Sequence, residues 1–373
     1  MAVVATHRPA KAIISRSAIR HNIENEIKRL DEGVQLWAVI KADAYGHGLI
    51  EVATQAEKAG ATGFCVAYVD EAIALRKAGF TQPILVLGVT EPMETVVLAS
   101  QYDISLAAAS FDWLQRAHDA VKAIDKQLHI HIIIDSGMGR IGFLDDEEMK
   151  KAKAFIAQQE TLVADGIFTH FATADEKNDD YFHYQQQQFE KALDIFGQDF
   201  KYIHTSNTAT ALWHGAWHSN VVRFGIGIYG MNPSGSVIES PYPLEPAMRV
   251  ETEMVYVKKQ PKGRSVSYGA TYTASDDEWI ATLPLGYADG FIRRYTGFEL
   301  LVDGHRCPIV GRVTMDQMMI RLPHEYPVGT KVVVIGKSGN EENTFTMAAD
   351  YIGTINYELT CSLGQRLERI YED

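Results

Sequence analysis

Cysteine is scarce. Cys65, Cys307 and Cys361 are the only three in 373 residues, odd in number and widely spaced, which reads as free thiols in a reducing cytosol and not as a disulfide framework. Positive charge is also in deficit: 35 Lys and Arg stand against 48 Asp and Glu, a net −13. With no basic stretch to offset that balance, a nucleic-acid or anionic-membrane partner is not expected. Long apolar runs are missing too. His7, Arg8, Lys11, Arg16 and Arg20 crowd the first twenty positions with no adequate apolar core after them, so neither a signal peptide nor a membrane span is expected. A cytoplasmic location follows. What is present is ordinary for a globular chain with a sizeable core: 46% hydrophobic and 22% charged residues. The length suits two domains, or one barrel plus a smaller module.

Short apolar strands alternate with amphipathic helices over the first part of the chain. Strand candidates begin near Leu36, Gly63, Pro83, Asp103, Leu128, Val163, Lys201 and Val221. Helical segments include Ser17–Leu30, with Ser15 or Ser17 as cap, Glu71–Ala78, Phe111–Ile124, Glu147–Ile156 and Tyr184–Phe196. Eight strands alternating with helices over about 200 residues indicate a (β/α)8 barrel. An open doubly wound sheet is the competing architecture. The barrel is preferred because the strands number eight and functional-looking residues recur at their ends. Asp145 to Glu148 reads as the acidic start of a helix, and Gln185 to Gln188 as a solvated helix face. After Met231 the texture changes. Pro233, Pro241, Pro243 and Pro246 mark a linker, Arg249–Lys258 alternates as a strand, Asp303-Gly304 signals a hairpin, and Lys331–Ile335 is another strand. The fold class is therefore α/β plus β: a barrel over 1–240 and a mostly-β domain over 241–373.

The most informative stretch is Leu36–Gly48. A buried strand, Leu36 to Ile40, meets Lys41 at its end, and Tyr45, Gly46 and Gly48 precede a helix start at Leu49. A lysine desolvated at a strand mouth suits Schiff-base chemistry; one that caps a strand and snorkels into solvent is the plainer alternative. Other strand ends in a barrel would carry Asp135-Ser136-Gly137-Met138-Gly139-Arg140, Thr169-His170-Phe171, His204 through Asn207 to Thr208, and Arg223-Phe224-Gly225-Ile226-Gly227. A hydroxyl (Thr208) and a glycine-rich turn after the seventh and eighth strands suit a phosphate. A reactive lysine, a phosphate cradle and an arginine together suggest pyridoxal phosphate. Gly225 to Gly230 also fits a dinucleotide fingerprint, but Pro233 follows and no helix can form, so that match is rejected. His129 and His131 share a strand face and could bind a metal; they sit at the strand's start, and no metal site is expected.

Taken together these segments resemble alanine racemase. The resemblance is carried by Ala38 through Lys41 to Gly48, Asp135 to Gly142, Thr169-His170-Phe171, Val222 to Ile226 and Val266-Ser267-Tyr268-Gly269. Pro284 to Gly290, Met315-Asp316-Gln317 and Ile355 to Glu358 extend it over nearly the whole chain. It implies an isomerase that interconverts L-alanine and D-alanine by a two-base mechanism on the external aldimine of pyridoxal 5′-phosphate. Lys41 would hold the cofactor and serve as one base, and Tyr268 from a partner subunit as the other. Arg223 would face the pyridine nitrogen, with His170 beside it. Tyr45, Thr208, Gly225, Ile226 and Tyr357 would hold the phosphate, and Asn207 would also contact the cofactor. Arg140 and the partner's Met315 would face the substrate carboxylate, with Tyr287 and Tyr357 narrowing the entrance. The assembly implied is a homodimer with shared sites. Two positions depart from the family. Ile133 stands where many members carry a modified lysine that positions the substrate arginine, and Thr208 where serine is frequent. A barrel decarboxylase, a non-catalytic cofactor-binding barrel and a racemase of wider range that accepts serine are the rival readings.

Overall fold

The computed structural model describes residues 3–373. The chain divides into two compact units: Ile19–Glu245, and a second that joins the residues up to Ala18 with Pro246–Asp373.

The first unit is built on eight parallel strands: Gln35–Val39, Gly63–Val66, Ile84–Val86, Ser105–Ala108, Leu128–Ile133, Leu162–Phe168, Tyr202–His204 and Val221–Phe224. Each starts within two residues of the position expected from sequence. The first seven pair in chain order, and the eighth pairs with the first, Gln35 opposite Val221 and Trp37 opposite Arg223. Between the seventh and eighth, the Asn220 amide donates to Ile203 O and the Arg223 amide to Ser206 O, each at 2.9 Å. The result is a nearly closed barrel. The strands are apolar along their length because both faces are covered: Leu36, Trp37, Ala38, Phe64, Cys65, Ile84 and Leu85 are all buried. Helices Leu49–Lys58, Val69–Lys77, Met93–Gln101, Phe111–Lys122, Asp146–Ile156, Asp180–Phe196 and Thr208–His214 alternate with the strands. Asp145 caps its helix by accepting the Glu148 amide at 2.9 Å, the role its acidic run implies.

One helix corrects the sequence reading. Gln185, taken as part of a solvated face, is fully buried. It falls on the stripe Phe182, Gln185, Phe189, Ala192 and Phe196, all buried at helical spacing. The polarity of the glutamine run hid that periodicity.

The second unit is a sheet whose strand order runs Tyr256–Gln260, Glu278–Leu283, Met318–Leu322, His305–Val310, Glu299–Val302, Lys331–Ser338, Met248–Glu253, Ala10–Ser15, Glu368–Glu372. The N-terminal strand, absent from the sequence reading, runs antiparallel to Met248–Glu253 and parallel to Glu368–Glu372. Asp303 (φ 47°) and Gly304 (φ 77°) form the two-residue turn between Val302 and His305, the left-handed pair that a tight hairpin needs. The single strand expected over Arg249–Lys258 is two. At Met254 and Val255 the chain leaves one sheet neighbour for another, the Met254 amide bonding Thr330 O and the Val255 amide Thr282 O.

Candidate active site

Lys41 follows the first barrel strand directly. After it Ala42, Asp43, Ala44 and Tyr45 all take left-handed backbone angles, with φ between 52° and 54°. Such a run costs L-residues roughly 1–2 kcal/mol each, so something must hold it. Amides bond back along the turn, Ala44 to Ile40 O at 2.9 Å and Gly46 to Ala42 O at 3.0 Å. Asp43 Oδ1 accepts the Leu49 amide at 2.8 Å. Glu71 reaches across from the next strand–helix unit, its carboxylate accepting the amides of Ala42 at 2.7 Å and Ala67 at 2.8 Å. The turn buries Tyr45 and His47 and packs both rings on Tyr229, with centroids at 4.9 and 4.4 Å. Held strain of this kind marks functional loops.

Arg223, on the eighth strand, is buried. Its Nη1 donates to His204 Nδ1 at 2.7 Å and to His204 O at 2.8 Å, and its Nη2 to Thr169 O at 2.7 Å. Among the described residues neither a carboxylate nor any partner to Nε is found. Burial lowers its pKa to about 10, so the guanidinium stays charged at neutral pH. His204 Nε2 lies 2.8 Å from His131 Nδ1. Burial and the charge of Arg223 hold His170 and His204 well below the usual histidine range, with Arg140 and Lys41 adding to the effect at His170. His129 does not join His131 in a metal pair. His129 Nδ1 meets Asp165 Oδ2 at 2.5 Å, where Asp165 is the extra residue of a bulge on the sixth strand, while His131 is engaged with His204. Among the described residues no cluster of His, Cys, Asp or Glu suits a metal.

Two loops at the carboxyl ends of the fifth and sixth strands are tied together. Asp135 Oδ1 accepts the amides of Gly137 and Gly139, and Ser136 Oγ lies 2.7 Å from Thr169 Oγ1. Gln185 completes the tie: its Nε2 donates to Ser136 Oγ and His170 O, and its Oε1 accepts the Ala172 amide. It is the residue the sequence reading missed, and it steadies the loops that carry Arg140 and His170. Arg140 is exposed and makes no ion pair among the described residues.

After the seventh strand, Asn207 caps the short helix, its Oδ1 accepting the Thr210 amide at 2.9 Å, and Thr208 is buried. The Gly225 amide, expected to face an anion, instead donates to Thr208 Oγ1 at 2.8 Å. That bond leaves the threonine's own proton to point elsewhere. A Cβ on Gly225 would sit 3.0 Å from Tyr45 Oη, so the glycine keeps the space beside that phenol open. Ile226 begins a 3-10 turn, Ile226–Tyr229, and no α-helix follows it, consistent with rejecting a dinucleotide site.

Tyr268, Tyr287, Met315 and Tyr357 belong to the second unit. Tyr268 stands at the tip of the ribbon Ser265–Val266 and Tyr272–Thr273 and is 73% exposed. Tyr287 and Met315 are exposed on adjoining turns, joined by the Tyr287 amide to Thr314 O and the Ala288 amide to Met315 O. Tyr357 lies half-buried in the helix Asn356–Cys361.

Two family models match this chain: the alanine racemase N-terminal domain over residues 14–233 and the alanine racemase C-terminal domain over 247–371. The alanine racemase of Pediococcus pentosaceus is 54% identical over 371 residues, covering 100% of this chain and 98% of that protein. Among solved structures, alanine racemase from E. faecalis superposes with a TM-score of 0.96 at 46% identity, covering 100% of both chains. A histidine racemase from Leuconostoc mesenteroides subsp. sake is more distant, with a TM-score of 0.91 at 34% identity over 100% of both. This chain sets a lysine on a strained turn at a barrel mouth and an arginine among buried carbonyls, and alanine racemases match it end to end. The chain is an isomerase and belongs to the alanine racemase family.

Proposed function

We propose that this chain racemises alanine with pyridoxal 5′-phosphate held at the barrel mouth and with Lys41 and Tyr268 as the two proton-transferring groups. The observation that carries this reading is the setting of Arg223. Its two Nη atoms are taken by carbonyls and His204, its charge has no carboxylate beside it, and Nε is left as a donor. A neutral pyridine nitrogen is the acceptor such a donor suits, since arginine does not give up its proton. The mouth also fits the rest of the group. The Thr208 hydroxyl, turned outward by Gly225, and the space kept open beside Tyr45 Oη suit a phosphate, with Asn207, Ile226 and Tyr357 completing its surroundings. Lys41 at the end of the first strand suits the aldehyde.

The cofactor, when bound, supplies an electron-withdrawing ring that acidifies the substrate's α-proton. Racemisation removes that proton from one face and returns one to the other, so it needs two acid–base groups on opposite sides. Lys41 Nζ serves one face. The partner subunit's Tyr268 serves the other, reached by the exposed tip on which Tyr268 stands. Arg140 and the partner's Met315 receive the substrate carboxylate. His170, neutral beside Arg223, adds no second charge, and Tyr287 and Tyr357 narrow the way in. On this reading residues 1–240 bind the cofactor, 241–373 complete the partner's site, and the protein works as a cytoplasmic homodimer. No described helix is long and apolar enough to cross a membrane.

Chiral chromatography of L-alanine incubated with the cofactor-loaded protein tests the reading: D-alanine should accumulate to equality. A second reading, a wider range that includes serine, draws its support from the histidine racemase match. The same assay on serine and histidine decides it, and rates equal to that on alanine would replace the first reading with the second.

A further inference from the structure

His131 sits inside the barrel on the fifth strand and has no solvent exposure. The mechanism above does not use it. The hydrogen bonds that lead to it nevertheless run in one direction. Arginine can only donate, so the bond from Arg223 Nη1 leaves His204 Nδ1 without a proton. Burial keeps His204 neutral, and its proton then lies on Nε2, donated over 2.8 Å to His131 Nδ1. His131 is neutral too, burial pushing its pKa down to about 3, so its own proton lies on Nε2. That nitrogen is buried and has no hydrogen-bond partner among the described residues. The ring is instead packed against Tyr202 and Trp37, with centroids at 5.6 and 5.8 Å. A buried donor without an acceptor is unfavourable, and a phenylalanine would fill this aromatic nest without it. The backbone is also shaped for the imidazole. At Gly166, opposite His131 across a bulged register, an added Cβ would lie 2.5 Å from His131 Nδ1.

We propose that His131 is a positioning residue. Its bare Nδ1 holds His204 in the tautomer that presents a bare Nδ1 to Arg223 Nη1, which, with the Thr169 carbonyl on Nη2, fixes the guanidinium and keeps Nε aimed at the cofactor's ring nitrogen. The inference rests on the assignment of Arg223 to that nitrogen. In the other tautomer His204 would turn an N–H toward a group that is itself all donors, and Arg223 would lose the side-chain acceptor that fixes it.

The test uses the holoenzyme with 15N-labelled histidine and four variants: His131→Phe, His131→Gln, Gly166→Ala and Arg223→Lys. In the parent protein at neutral pH both His131 and His204 should give the nitrogen shifts of Nε2–H tautomers; an Nδ1–H signature for His131 overturns the proposal. In His131→Phe, the single-tautomer signature of His204 should be lost. Its cofactor dissociation constant should rise about tenfold, and pyruvate released per racemisation should rise with it. His131→Gln restores a carbonyl acceptor and should return both quantities to within about twofold of the parent. Gly166→Ala displaces the ring without removing an ionisable group, and it decides the matter if His131→Phe does not fold: unchanged tautomers and affinity would refute the proposal. Arg223→Lys separates the two layers. If it moves affinity and by-product ratio while His131→Phe and Gly166→Ala move neither, the histidine chain has no role and the Arg223 assignment stands. If Arg223→Lys moves neither, the assignment fails and this inference with it.

Discussion

At the scale of single residues, Arg223 is a cation that water barely reaches, held by three neutral acceptors at 2.7–2.8 Å in place of hydration. A donor that keeps its proton opposite the ring nitrogen makes the ring a weaker electron sink than a carboxylate would, because a carboxylate favours a protonated nitrogen. Arg223→Glu should therefore raise pyruvate released per racemisation severalfold; a lactate-dehydrogenase-coupled assay reads it, and an unchanged ratio removes the electron-sink argument. Lys41 has no substitute on the other strand ends. Borohydride treatment of cofactor-loaded Lys41→Ala should attach the cofactor to no lysine, and a unique labelled lysine would reassign the role. Three imidazoles, His131, His170 and His204, titrate below their ordinary value. The unfolded chain, with histidine near ~6.5, binds more protons than the folded one as pH drops through that value, so stability falls on acidification. The slope is up to about 1.4 kcal/mol per pH unit for each imidazole. Urea midpoints between pH 7 and pH 5 should show this loss, and replacing His131 by Phe should flatten it by one proton's share.

At the scale of elements, the left-handed turn Ala42–Tyr45 is the least self-sufficient piece of the barrel. Its angles oppose the intrinsic preference of four residues, and Glu71 anchors it from a neighbouring helix by accepting amides of Ala42, Ala67 and Tyr68. Glu71→Ala strands those donors and should cost about 1–3 kcal/mol of stability. The loss should appear in the urea midpoint together with faster cofactor release on gel filtration. Full stability and full retention in that variant would mean that the turn holds itself. None of this is visible in the local sequence, where Lys41 to Gly48 reads only as a loop between strand and helix. Left-handed geometry is chosen by contacts made 29 residues away. The eight strands, by contrast, were readable to within two residues, because a strand covered on both faces must be apolar along its length and its neighbours in a barrel must be polar or glycine-rich loops.

At the scale of the molecule, the barrel unit supplies Lys41 at its own strand ends, whereas Tyr268 is presented at the exposed tip of a ribbon in the other unit. The proposed reading takes the second base from a neighbouring copy in a two-fold dimer with two equivalent sites. Co-expressed under two tags, Lys41→Ala and Tyr268→Phe chains should form a heterodimer with about half the parental activity, because one site keeps both bases and the other neither. A purified heterodimer no more active than either mutant parent would show that the bases act within one chain. The same scale shows where the domain reading from sequence differs from the structure. The N-terminal strand Ala10–Ser15, counted there with the barrel, pairs with Met248–Glu253 and Glu368–Glu372.

By itself the sequence determined the alternation of strands and helices, the change to β structure beyond the prolines, and which residues stand at strand ends. All three are written in short-range periodicity and in the chemistry of adjacent residues. Tertiary structure decided what depends on partners distant in the chain. It buried Gln185, whose amide is satisfied by loops from two other strands. It engaged His129 with Asp165 and His131 with His204. It drew the Gly225 amide onto Thr208. A polar side chain in the interior is stable only where acceptors and donors from elsewhere meet it, and that meeting is a property of the fold, not of any window of sequence.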